Sequence, residues 1–156
     1  MNIAEVFPMK KFITFLTAVM IMCMFSAAFA AERFVIPLDA ENDLYTADKT
    51  FTVDGIEIAA AMSRPTAAFQ PISFTFAFSE KGAPVAVENG KIKFNMKMDM
   101  GEYSYDLAKV DGKYTATAVL PKCMMGGEIW FGKLTFSHKG SERSKVFFFK
   151  IPNKKE

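Results

Sequence analysis

Six sulfur-bearing side chains crowd two short stretches of the chain: Met96, Met98 and Met100 in NMKMDM, then Cys123, Met124 and Met125 in PKCMMGG. Thiolate and thioether sulfurs are soft donors that prefer Cu(I) to hard cations. A strand end offering one or two methionines, facing a loop that offers Cys123 with Met124 or Met125, would suit that ion. Residues two apart on a strand have Cα atoms about 6.6 Å apart. Flexible Met side chains therefore bring one or two of the strand methionines to one ion, not all three. The competing reading is packing, because Met fills irregular gaps in cores and these three continue the phase of Ile92 and Phe94. Two features favour a site. Asp99 and Gly101 mark a strand end, so Met98 and Met100 belong to a rim. CMMGG, preceded by Pro121 and Lys122, reads as a loop, where three adjacent sulfurs have no evident packing role and Cys123 is expected to be partly accessible. Gly126 and Gly127 would let that loop turn with φ > 0 or approach the facing strand closely.

Other chemistries have less to stand on. His138 is the single histidine. It joins a site only if its strand end lies near the methionines, and is otherwise a turn residue beside Gly140. One Cys and one His are too few for a usual zinc site. There is no C-x-x-C pair, no acid or base recognisably beside Cys123, and no phosphate-cradling glycine loop. Asp106 and Asp111 lie near turns and read as solvated. The expectation is a protein that is not an enzyme, with no small-molecule substrate indicated.

The elements that would position these sulfurs are strands. ISFTFAF places Ile72, Phe74, Phe76 and Phe78 on one face, IKFNMKMDM places Ile92 to Met100 on one face, and YTATAVL does so with Tyr114, Ala116, Ala118 and Leu120. In IWFGKLTFSH, Trp130, Leu134, Phe136 and His138 share a phase, while KVFFFKI is apolar on both sides. RFVIPL and FTVDGIEIAAAM are weaker candidates. This alternation predicts about seven strands. Asp111-Gly112 is a hairpin signal, and SEKGAP, VENG and SHKGSER are polar connections. Short strands with such turns predict an all-β, antiparallel two-layer sandwich.

The amino end reads as an export signal. Lys10 and Lys11 precede an apolar core, Phe12 to Phe25, and Ala28-Phe29-Ala30 is an A-x-A cleavage signal. Residues 1–30 are thus expected to be a cleaved signal peptide rather than a retained anchor, the apolar stretch being shorter than the roughly 20 residues of a spanning helix, with 1–8 a superfluous extension if Met9 rather than Met1 is the initiator. Residues 31–156 form one domain, periplasmic or secreted. That domain carries 17 Lys plus Arg against 16 Asp plus Glu, interspersed, which gives no nucleic-acid footprint. It keeps one cysteine, Cys123, unusual for an exported protein.

The stretch from about 71 to 137 resembles the YtkA-like family and the related FixH-type oxidase assembly proteins. The matching elements are the strand ending in Met98-Asp99-Met100-Gly101, the Asp111–Ala116 hairpin DGKYTA, and LPKCMMGGEIW with Gly126 and Trp130. The resemblance implies an immunoglobulin-like sandwich and extracytoplasmic copper handling, in oxidase assembly or metal tolerance. Its partner would be a copper chaperone or a membrane oxidase-assembly protein. Trp130 would underlie the loop or cover the metal as a lid, with Tyr103 and Tyr105 shielding the sulfurs; otherwise the three aromatics fill the sandwich or its rim. The expected cofactor is Cu(I), held among Cys123, Met98, Met100, Met124, Met125 and Met96. The alternative is an envelope scaffold or interaction domain without metal.

Overall fold

The computed structural model describes residues 34–98 and 100–153. The signal peptide expected over 1–30 lies outside the described residues. Among the described residues ten strands form: β1 (Lys49–Val53), β2 (Ile56–Met62), β3 (Pro71–Glu80), β4 (Ala83–Pro84), β5 (Glu88–Asn95), β6 (Tyr103–Asp106), β7 (Ala108–Val110), β8 (Lys113–Val119), β9 (Ile129–His138) and β10 (Ser141–Lys150). They make two sheets, one in the order β1-β2-β3-β8-β7 with β4 on β3, the other β10-β9-β5-β6. All ladders between strands are antiparallel. The protein is an open two-layer β-sandwich.

Four hairpins turn on the same two-residue chemistry. Asp54-Gly55, Lys81-Gly82, Asp111-Gly112 and Lys139-Gly140 all have φ > 0 at both positions. That backbone is the type I′ turn, whose twist matches the strands it joins. It divides FTVDGIEIAAAM, expected as one strand, into the β1–β2 hairpin. The segment RFVIPL, also expected as a strand, is irregular over its described residues 34–38. The other additions beyond seven, β4, β6 and β7, are two to four residues long.

Alternation buries one face of each long strand. Phe74, Phe76 and Phe78 of β3 meet Phe94, Phe136, Phe147 and Phe149 from the opposite sheet, with ring centroids 5.0 Å apart for Phe74–Phe94 and 4.8 Å for Phe78–Phe136. Such pairs add about 0.5–1.5 kcal/mol each beyond area burial. β10 is apolar on both faces, as expected: Phe147, Phe148 and Phe149 are all buried. Phe148 lies opposite Phe131 of β9 on the outer face. The chain before β1 covers the free edge of β10, where Leu44 N donates to Phe148 O and Phe148 N donates to Asn42 O, both at 2.9 Å. At Phe148 the edge therefore has no open backbone for a stray strand to pair with.

Candidate functional site

β5 leaves the sheet at Asn95, so IKFNMKMDM is only partly a strand. Met96 continues inward and is buried, Met98 is 39% exposed, and Met100 packs half-buried against the core. These residues open the 96–102 connection to β6. The 120–128 connection carries the chain from β8 in one sheet to β9 in the other and emerges at the same end of the sandwich. Leu120 and Cys123 of this connection enter the core.

The two connections bring sulfur to sulfur. Cys123 Sγ lies 3.9 Å from Met98 Sδ, close enough for the thiol to donate to the thioether. A Cβ added at Gly127 would meet Met96 Cε at 3.1 Å and Cys123 Sγ at 3.4 Å. Met96 and Cys123 therefore flank the same bare backbone position, the close approach expected of this glycine pair. Gly126 serves differently: its N donates to Cys123 O at 3.1 Å, closing a turn at φ 82°. Met124 and Met125 occupy the middle of that turn and are 92% and 77% exposed. The structure thus gathers Met96, Met98 and Cys123, and turns Met124 and Met125 to solvent. The expected accessible thiol is instead buried at 2% exposure.

The loop's carboxyl end is stitched to the chain terminus. Ile151 N donates to Glu128 O and Asn153 N to Glu128 Oε1, both at 2.8 Å, while Asn153 Nδ2 donates to Gly127 O at 3.3 Å. At its start, Phe69 N donates to Leu120 O at 2.8 Å. Glu128 and Asn153 position the site without being legible in the sequence, because neither spacing nor motif marks a tail-to-loop contact. Tyr105 OH donates to Val119 O and accepts from Val119 N, at 3.0 and 3.2 Å. Tyr105 is thereby tied to β8. Trp130 is 1% exposed, edge-on to Tyr103 at 5.6 Å. It lies beneath the surface and forms no open lid.

His138 belongs elsewhere. It ends β9, whose ten residues separate it from the sulfur loop by about 30 Å at strand rise. It is buried, not a surface turn residue, with Nδ1 3.1 Å from Ala86 O and Nε2 3.8 Å from Glu80 Oε2. Lys139 Nζ donates to Glu80 Oε2 at 2.7 Å, and that hydrogen bond holds the Glu80 carboxyl below its usual value. Among the described residues no three of His, Cys, Asp and Glu gather as a metal site.

No family model matches the chain, and no curated protein does. Among solved structures it is similar to a DUF4426 family protein from Pseudomonas aeruginosa PAO1, with 14% identity, 69% of this chain and 100% of that chain covered, and a TM-score of 0.48. The expected membership of the YtkA-like and FixH-type families is corrected by these findings.

Proposed function

We propose that this chain is a non-catalytic binding domain that holds one Cu(I) ion at the sulfur cluster of its sandwich end. The observation that carries the reading is the 3.9 Å approach of Cys123 Sγ to Met98 Sδ. Two metal–sulfur bonds of about 2.3 Å, the metal–thiolate length, span at most about 4.6 Å, so one ion bridges these sulfurs without moving the loops apart. A thiolate and thioethers without a clustered carboxylate form a donor set for a soft ion. Cys123 and Met98 would hold it, with Met96, whose methyl flanks Gly127 together with Cys123 Sγ, the third candidate donor. Bound there, Cu(I) would supply soft-metal storage or delivery, and Cys123 would release its proton on binding. This reading needs no family kinship. It places the working domain outside the cytoplasm, after loss of residues 1–30.

The frame is read as immunoglobulin-like. The run β2-β3-β8-β7 has the order A-B-E-D, and β10-β9-β5 the order G-F-C, of that fold, with β1 and β6 added at the edges. Anaerobic competition for Cu(I) against a chromophoric chelator tests the metal reading. One equivalent taken by wild type and lost in Cys123→Ala supports it. No uptake by wild type sinks it.

The second reading is an envelope scaffold in which the sulfurs only pack. It is favoured by the burial of Met96 and Cys123, at 3% and 2% exposure, within the continuous core. Unfolding measurements on Met96→Leu and Cys123→Ala, alongside Cu(I) affinity, separate the two.

A further inference from the structure

Resting on the soft-metal reading, we infer that Met124 and Met125 form an outer capture site through which Cu(I) passes to Cys123. They do not hold the resting ion. The sulfurs of this end are graded in exposure: Met124 92%, Met125 77%, Met98 39%, Cys123 2%. The most exposed pair is attached directly to the most buried donor, because the turn closed by Gly126 N on Cys123 O follows the thiol without a gap. Two consecutive apolar side chains at a turn corner gain nothing from burial, and the turn needs no particular side chain at either place. As thioethers they are neutral soft ligands, able to accept Cu(I) from a carrier too bulky to reach a thiol under the surface.

The fitting donor class is a Cu(I) complex of exposed thiolates or thioethers, whether a protein or a small chelate. In the transfer, a donor ligand leaves the ion as a Met124 or Met125 sulfur binds. Met98 Sδ, 3.9 Å from Cys123 Sγ, takes it next as the Met124 or Met125 sulfur lets go. Cys123 then bonds the metal and its proton leaves to solvent. Copper stays Cu(I) throughout.

The test separates rate from affinity, using the chain from Ala31 onward, which carries every described strand and the whole core. Cu(I) is supplied as a chromophoric chelator complex under anaerobic conditions. Equilibrium affinity and stopped-flow loading are compared for wild type and a Met124→Leu/Met125→Leu double variant, whose exposed sites leave the fold intact. The inference expects loading slowed about tenfold or more with affinity changed by less than about twofold, a loss confined to the association step. Unchanged loading overturns the inference and leaves the soft-metal reading standing. A tenfold loss of affinity makes these residues resident ligands and overturns it as well. Failure of wild type to take up Cu(I) removes the underlying reading, and this one with it.

Discussion

Cys123 and Met98 carry different burdens, and substitution should separate them. Met98 is 39% exposed, so Met98→Leu, a swap of similar volume, should change stability by less than about 1.5 kcal/mol while weakening Cu(I) binding. Cys123→Ala removes a buried sulfur that packs with Met96 around Gly127 and should cost about 1–2 kcal/mol, with the larger loss of affinity because it deletes the charged donor. Denaturant unfolding and chelator competition on the same samples check this. Equal affinity losses in both variants would deny the thiolate its leading role. At the opposite end, the Lys139 hydrogen bond keeps the Glu80 carboxyl below its usual 4.5. A carboxylate whose folded pKa is lowered stabilises the fold above its unfolded pKa and loses that contribution as pH falls through the folded value. Glu80→Gln should therefore flatten the fall in Tm below about pH 4.5, read from melts across the acid range. Parallel curves for the two proteins would show that this pair does not couple to folding.

The long strands were legible because alternation is strict where a sheet faces a core. Phe74, Phe76 and Phe78, or Leu134 and Phe136, could sit only one way. The same rule misled at Met96, Met98 and Met100. Their alternation outlasts the hydrogen bonding of β5, and nothing in the side chains records that the ladder stops at Asn95. FTVDGIEIAAAM hid a hairpin although Asp54-Gly55 repeats the chemistry recognised at Asp111-Gly112. β6 and β7 are four and three residues long and carry no buried residue, too short for alternation to register. One element property unreadable from sequence is the tight crossing at Gly132, where an added Cβ would lie 2.6 Å from Phe147 Cζ. Gly132→Ala should cost about 1–3 kcal/mol through overpacking between β9 and β10, measured by urea unfolding. An unchanged midpoint would mean that the Phe147 ring moves aside freely.

Across the molecule, the candidate site is a property of the sandwich end, since no strand contains it. Cys123 is placed by a connection that changes sheets and Met98 by the chain leaving β5, and the sheet-changing connection is held by contacts from distant sequence, Asn153 to Glu128 and Gly127. Pairing the 96–100 and 121–127 stretches was legible as a juxtaposition of soft donors. Which sulfurs meet was not, because that depends on the Gly126 turn sending Met124 and Met125 outward. Cohesion of the whole should likewise depend on parts far from the site. Leu44, fully buried beside the edge of β10, should cost about 2–5 kcal/mol as Leu44→Ala, seen as a lower Tm. A Tm unaltered by that change would show that the segment before β1 is not part of the cooperative unit.

The central claim is that this end of the sandwich holds Cu(I) by sulfur alone. X-ray absorption at the copper edge of the Cu(I)-loaded protein addresses it most directly. The account predicts a first shell of sulfur only, at about 2.3 Å, that loses a sulfur neighbour in Met98→Leu and does not form in Cys123→Ala. A shell of nitrogen or oxygen, or a sulfur shell unchanged in Cys123→Ala, would contradict it.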